Sequence, residues 1–465
     1  MDEGLHTEGD PAMRWLMVSQ DTQREAIGGT ELYVLRLAEA LIAEGVAVAW
    51  VHYCDGEPGL VEDNLRGNDI DYFRITARHH GGGRELAWQI EPIGLDEFRE
   101  VLRRIQPDCV HFHGFGRNQS PEHFAAAKQS GAKVFMTYHS PGQSCARWDL
   151  LYKGREMCTG EIDVTRCTDC CLHRIGVPEP VRSVLARVDV SNLARLLPYS
   201  AQHPLARRKG IKDYQCRWNE GMAIPDKILW HAEWVRDLLL RNGISEERLQ
   251  HLPLPPPRPA DEGPIGDKSG TTTRKFLYIG RLSDIKGVHV ITEAVRLLPL
   301  SADIEVQIIG AKGPEEYFRR IARGCESDPR LRLMPPIPFD EIPCLMRAAD
   351  AVIVPSLWPE TGPYTVLEAL WTGTPVIGSD RAGIRELLKA GGGLLFEPGN
   401  SQQLARLLVE CDFRAMRCNP IAFQSNWKGG FSERLDALCG VLSGTVLTGV
   451  STHDQMTTIC LERCI

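Results

Sequence analysis

Two runs of alternating strand-like and helix-like segments, separated by one proline-rich break, constrain the fold of this chain most. The break, residues 253–273 (PLPPPRPADEGPIGDKSGTTT), opens with four prolines in six residues and continues in glycines and charges. Proline lacks the N–H that a helix interior or a central strand needs, so neither element crosses it. Before the break, RWLMVS, VAVAWVHY, DYFRIT, CVHFHG, KVFMTYH and KILWHA read as short buried strands, with helical patterns at 31–44, 95–105, 121–129 and 233–241. After it, KFLYIG, IEVQIIG, LRLMPP, AVIVPS, PVIGS and GGLLFE alternate with helical patterns at 289–298 and 314–325. Such alternation predicts parallel sheets with helices on both faces, hence α/β architecture with two Rossmann-like doubly wound domains. Ligands of such sheets bind beyond the carboxyl ends of the strands, so the cleft between the domains is the expected site. The expected division is a disordered start (1–12), a first domain (13–252) with a cysteine-rich insert (140–180), the linker, a second domain (274–440) and a tail (441–465).

Length and charge narrow the function. A chain of 465 residues with 43% hydrophobic content can bury more than one core. Its net charge of −8 argues against a general nucleic-acid binder. The start, MDEGLHTEGDP, is neither a secretory signal nor a transit peptide, and no apolar run reaches the ~18 residues needed to span a bilayer. A cytoplasmic protein is expected.

The chemistry-bearing residues sit where strands end. In KFLYIGRLSDIKG, Arg281 and Lys286 follow a strand directly, five positions apart. Two cations beside a helix start suit a diphosphate. In PETGPYTVLEAL, Glu360 and Glu368 lie eight positions apart at the start of a helical pattern. A carboxylate there can accept hydrogen bonds from vicinal sugar hydroxyls. The loop REAIGGTE places Gly28 and Gly29 before a helix, as a close approach to a ligand or as a plain tight turn. His139 closes the strand KVFMTYH, and His111 and His113 close its neighbour. Each is a substrate contact or a satisfied buried imidazole.

GRLSDIKG, the spacing in PETGPYTVLE, ALWTGTPVIGS, AGIREL and GGLLFEPGN occur in one order, after GGTE, VHFHG, TYHS and AEWVRDLLLRNGI. That order resembles the retaining glycosyltransferases of the two-Rossmann-domain GT-B type, group 1 or family 4, most densely over residues 276–408. The resemblance implies that Arg281 and Lys286 hold the diphosphate of a nucleotide-diphosphate sugar donor, that Glu368 takes the ribose hydroxyls, and that Glu360 takes the transferred sugar. Thr361 and Gly362 join the donor-binding set, His139 lies near the sugar, and the Gly28–Gly29 loop lies over the phosphates. No catalytic metal is implied. The acceptor would be a glycan, a lipid-linked sugar or a small molecule, in polysaccharide or glycoconjugate biosynthesis. Thr361, Gly362 and Pro363 stand where a Gly-Phe-Gly type loop is usual, and Pro363 removes one N–H. An epimerase of nucleotide sugars and a catalytically idle binding protein are the rival functions.

Five of the fifteen cysteines crowd between Cys145 and Cys171. Cys145, Cys158, Cys167 and Cys170, spaced C-x12-C-x8-C-x2-C, offer four soft ligands for a structural zinc ion; an iron–sulfur centre and free or redox thiols are the alternatives. The insert follows His139 and is expected to overhang the cleft on the acceptor side. Residues 172–218 hold nine Arg or Lys against three acids, either a peripheral contact with an anionic membrane or phosphate-bearing acceptor, or a solvated face. Asp69 and Asp71 formally match a metal-binding DxD and read as surface.

Overall fold

The computed structural model describes residues 13–19, 28–63, 70–77, 92–116, 118–190, 204–258, 272–389, 391–413 and 415–443. The calls on residues 1–12, Asp69, Arg195, most of the linker and most of the tail lie outside these. The first sheet has eight strands, in the order β10 (Leu249–His251), β9 (Lys227–Trp230), β6 (Lys133–Thr137), β5 (Cys109–Phe112), β1 (Arg14–Ser19), β2 (Ala47–Asp55), β4 (Ile70–Ala77) and β3 (Gly59–Asp63). All its pairings are parallel except β3 with β4. Strand β3 was not expected: GLVED is too short and acidic to stand out as a strand, and it forms as an antiparallel edge on β4. The second sheet has six strands, all parallel, in the order β13 (Leu331–Met334), β12 (Ile304–Ile309), β11 (Arg274–Ile279), β14 (Ala351–Val354), β15 (Val376–Ser379) and β16 (Gly393–Phe396).

The central strands are apolar on both faces because both faces are covered. Along β1, Leu16 and Val18 enter one core while Trp15 and Met17 enter the other, the period of two that a strand imposes. In the second sheet Phe276 and Tyr278 take one core and Leu277 the opposite one. A third element unites the two halves. The last helix, Pro420–Ser443, sends Phe431, Leu435 and Leu438 into the cluster that holds Trp15 and Met17, together with Tyr364, Leu367 and Trp371 of the helix Tyr364–Trp371. The division at 274–440 groups this last helix with the second sheet, yet its buried face also enters the core of the first. Truncating Trp371 to Ala in this shared core would cost ~3–5 kcal/mol.

Strand order fixes where ligands can bind. In each sheet the order reverses between two neighbouring strands, β1 and β5 in the first, β11 and β14 in the second. Crossovers depart to opposite faces there and open a crevice at the carboxyl ends. The loops at these two points carry most of the residues described next.

Candidate active site

On the second-sheet rim, β11 leads through Arg281 to a single turn, Asp284–Lys286, and then to the helix Val288–Leu297. Gly287 joins the two at φ +70, where a Cβ would strike the Pro355 carbonyl oxygen of the loop after β14. That close approach brings Lys286 to Glu360: its Nζ lies 2.7 Å from Glu360 Oε1. Ser356 Oγ donates to the same oxygen at 2.5 Å and Trp358 Nε1 at 3.0 Å. Lys286 also lies over the Trp358 ring, 5.4 Å from its centre. Burial alone would raise the Glu360 pKa, but the Lys286 charge and these hydrogen bonds outweigh it and hold the carboxyl below its ordinary range. Among the described residues, no hydrogen bond is made to Glu360 Oε2. The sequence assigned Lys286 and Glu360 to different parts of a ligand; here they form one ion pair.

Arg281 is exposed; its carbonyl oxygen accepts from Tyr278 Oη at 3.0 Å, and its guanidinium makes no hydrogen bond or ion pair with the described residues. Glu368, half-buried on the helix Tyr364–Trp371, has its carboxyl raised to about 7 by burial, against the opposing charge of Arg36. Arg36 belongs to the helix Gly29–Ala43 of the first half, so a carboxylate of one domain faces a cation of the other. Gly28 is the N-cap of that helix, with an ordinary extended φ of −86. A Cβ on Gly28 would strike the movable Glu31 carboxylate, and one on Gly29 would meet nothing within 4 Å. The loop before them lies outside the described residues.

The first-sheet rim is made of rings. His111 and His113 leave β5, His139 follows β6, His231 follows β9, and Tyr33 rises from the helix Gly29–Ala43. The His139 ring centre lies 4.7 Å from that of Tyr33, 5.3 Å from that of His113 and 5.5 Å from that of His231. His113 Nδ1 and His139 Nε2 are 3.0 Å apart. His111 Nε2 meets Thr137 Oγ1 at 2.7 Å, and His231 Nδ1 meets the Leu252 carbonyl oxygen at 2.6 Å. Burial depresses all four imidazoles, His111 to about 3, His231 to about 4, and His113 and His139 well below the usual value. They are neutral near pH 7.

Direct hydrogen bonds join the rims. Thr361 Oγ1 donates to the His139 carbonyl oxygen at 2.7 Å, and Trp234 Nε1 donates to the Glu360 carbonyl oxygen at 2.8 Å. Glu386 Oε2 accepts the Glu233 N–H at 2.7 Å, at the start of the helix Glu233–Arg241. Gly362 (φ +149) backs onto Leu254, and Pro363 is the N-cap of the helix that carries Glu368. The structure thus gathers Lys286, Glu360, Thr361 and His139 in one seam. Ser356, Trp358, Tyr33, Arg36, His231 and Glu386 are added by the fold. Of these only Glu386 lay in a motif that the sequence had singled out, AGIREL.

The zinc expectation finds no support in the structure. Among the described residues no group of three or more His, Cys, Asp or Glu is placed to hold a metal ion. Cys145, Cys158, Cys167 and Cys170 are free. Burial raises the thiol of Cys145 to about 11 and those of Cys167 and Cys170 above their ordinary value, which favours the protonated form. Cys170 Sγ already accepts the Lys153 N–H at 3.1 Å. The insert has another support. Asp169 accepts from Tyr152 Oη at 2.9 Å and from Arg182 Nε at 2.5 Å, with Lys153 Nζ 3.1 Å away. Asn242 ties the insert down, accepting the Ile162 N–H and donating to the Gly160 carbonyl oxygen, each at 2.9 Å. The insert's first turn, Pro141–Gln143, closes on His139, whose N–H donates to Gln143 Oε1 at 2.5 Å.

The basic stretch 172–218 does not form one free face. Arg182 pairs with Asp169 and Glu179, Lys209 with Asp213, and Arg217 with Glu122. Asp71 is exposed on β4, as a surface reading requires. No helix among the described residues is long and apolar enough to cross a membrane.

Comparison with known proteins fits this architecture. The profile of glycosyltransferase family 4 matches residues 27–191, and that of the glycosyl transferases group 1 matches residues 266–410. D-inositol 3-phosphate glycosyltransferase 1 of Catenulispora acidiphila is 28% identical over 209 residues, 41% of this chain and 50% of that protein. The amylovoran biosynthesis glycosyltransferase AmsK of Erwinia amylovora is 30% identical over 142 residues, 29% of this chain and 35% of that protein. The chain therefore spans half or less of these two relatives' length. The structure of Anabaena HepE in complex with UDP-glucose superposes with a TM-score of 0.55 at 17% identity, covering 93% of this chain and 99% of that one. At that identity the likeness is one of fold. The chain carries a family 4 and a group 1 glycosyltransferase domain in succession, in the GT-B arrangement of two facing α/β domains.

Proposed function

We propose that the protein is a retaining glycosyltransferase that moves a sugar from a nucleotide-diphosphate donor to a glycan, lipid-linked or small-molecule acceptor. The observation that carries this reading is the Lys286–Glu360 ion pair at the second sheet's crevice, with Arg281 exposed on the loop that carries Lys286 and Thr361 hydrogen-bonded across the seam to the His139 carbonyl oxygen. Arg281 and Lys286 take the diphosphate, Glu368 the ribose hydroxyls, and Glu360, through Oε2, a hydroxyl of the transferred sugar. Thr361 and Gly362 line the donor, and the helix start at Gly28 and Gly29 faces its phosphates. Bond cleavage builds negative charge on the departing phosphate and positive charge on the sugar. Cations already fixed at the phosphate therefore stabilise the transition state more than the ground state. The acceptor hydroxyl attacks from the face the phosphate is leaving, and that phosphate takes its proton.

Related proteins named for polysaccharide biosynthesis and a neighbour crystallised with UDP-glucose support this class of donor and acceptor. A membrane contact through residues 172–218 has weaker support, because Arg182, Lys209 and Arg217 are spent within the protein. The exposed Val181, Val184 and Val188 beside them are its remaining basis.

The test is a product assay with UDP-, GDP- and ADP-sugars, read by NMR for release of the nucleoside diphosphate and for the anomeric configuration of the product. Transfer with retention supports the reading and inversion contradicts the retaining mechanism. A donor epimerised without acceptor would identify an epimerase. A donor bound and never consumed, whatever the acceptor, would identify an idle scaffold, the reading that Pro363 favours.

A further inference from the structure

The four imidazoles of the first-sheet rim differ in what their N–H groups do. Each is neutral and so carries one N–H. His231 is settled by its partner: a carbonyl only accepts, so Nδ1 carries the proton and donates to Leu252 O. Its Nε2 is an enclosed lone pair without a partner. His111 Nδ1 and His113 Nε2 are likewise enclosed and unpartnered. A buried N–H without an acceptor is rarer and costlier than a buried acceptor without a donor. Both atoms are therefore lone pairs. It follows that His111 Nε2–H donates to Thr137 Oγ1 and that His113 Nδ1–H donates to His139 Nε2. His139 must then carry its proton on Nδ1, a nitrogen that makes no hydrogen bond with the described residues. Three of the four N–H groups are used within the protein, and that of His139 remains.

We propose that His113 is a positioning residue that holds His139 as the Nδ1–H tautomer, so that His139 presents a hydrogen-bond donor to a hydroxyl oxygen of the donor sugar. The inference rests on the transferase reading for its ligand, but the tautomer itself does not. Free histidine favours the opposite tautomer, so the lock has a cost that a purely structural imidazole would not need. The His139 main chain is fixed as well, its N–H on Gln143 and its carbonyl oxygen on Thr361. With backbone and ring both held, the remaining N–H has one direction in which to point, and that is the arrangement hydrogen-bond preorganisation requires.

Long-range 1H–15N correlation spectra of histidine-labelled protein, with the His139 signals assigned through His139→Gln, test this directly. The wild type is expected to show His139 as Nδ1–H. His113→Phe keeps a ring but removes the donor, and is expected to return His139 to a mostly Nε2–H mixture. It should lower kcat about tenfold with little change in donor KM, the effect of one lost oriented hydrogen bond. His113→Asn, whose amide N–H stands where Nδ1–H was, is expected to restore both. A wild-type His139 in the Nε2–H form, or an unchanged tautomer in His113→Phe, overturns the proposal. A shifted tautomer with unchanged kcat overturns its functional half. Should His113→Phe fail to fold, the wild-type and His113→Asn spectra decide the tautomer. Should the protein transfer no sugar at all, the transferase reading fails while the spectra still decide the lock.

Discussion

The two rims of the cleft solve one problem in opposite ways. On the second sheet, Lys286 and Glu360 are charged, paired and ringed by Ser356 and Trp358, so the ligand-binding groups are held by each other. On the first, His111, His113, His139 and His231 are neutral, and three of them leave an enclosed nitrogen without a partner. The charged rim can hold a diphosphate and disperse the charge that grows on it. The neutral rim presents direction without net charge, which suits an uncharged sugar carrying developing positive charge. On the proposed reading the charged rim takes the phosphates and one sugar hydroxyl at Glu360, and the neutral rim meets the sugar from the other side.

The largest effect that would break this contrast is on the ion pair. Lys286→Met leaves Glu360 buried without its cation, so urea unfolding should show a loss of ~3–5 kcal/mol, together with lost nucleotide binding. Adding Glu360→Gln should restore most of the stability and none of the binding. A single variant with unaltered stability would mean that the pair is not a supporting element. Arg281 sharpens the point because it is exposed and its guanidinium is unpaired among the described residues. Arg281→Ala should weaken nucleotide-diphosphate binding by roughly ten- to a hundredfold, with no shift in Tm.

Glu368 and the buried histidines respond to pH with opposite signs. Folding raises the Glu368 pKa from 4.5 to about 7, so between those values the folded state holds a proton that the unfolded state has lost. Stability due to this group is therefore full below pH 4.5 and falls as pH rises toward 7. Folding depresses His111 to about 3 and His231 to about 4. Their contribution is full above the unfolded histidine value and is lost as pH falls below ~6.5. Glu368→Gln should remove the first effect alone, changing the stability difference across pH 4.5–7 by roughly 1–3 kcal/mol. An unchanged profile would contradict a carboxyl destabilised by burial. Smaller still is the bridge between the rims: Thr361→Val should cost ~1 kcal/mol in thermal unfolding. For the insert the expected change is nil, since Asp169 and Asn242 support it. A strong chelator should leave Tm unaltered, and a fall in Tm with release of about one zinc ion per chain would reinstate the four-cysteine site.

The charged rim was legible in the sequence because its residues stand in short motifs at strand ends, GRLSDIKG and PETGPYTVLE. The proline-rich break and the strand–helix alternation likewise gave both sheets. The neutral rim was legible only in part. His139 stood out at the end of its strand, but its neighbours come from β5, β9 and the helix Gly29–Ala43, which meet only once the sheet has ordered its strands. Spacing does not show that Lys286 reaches Glu360, which depends on Gly287 letting two loops touch. The cysteine spacing pointed to a metal because C-x2-C is a local pattern, whereas the Asp169 network that holds the insert joins residues 152, 153, 169 and 182, which share no motif. The last helix crosses back to the first sheet, and sequence adjacency gave no sign of it.

Isothermal titration of the wild type and of Arg281→Ala with UDP-glucose, GDP-mannose and ADP-glucose tests the central claim most directly, that the cleft holds a nucleotide-diphosphate sugar by its phosphates on the charged rim. One of the three is predicted to bind the wild type, and to bind Arg281→Ala at least ~10-fold more weakly. Binding of none, or equal affinity for both proteins, would contradict the account.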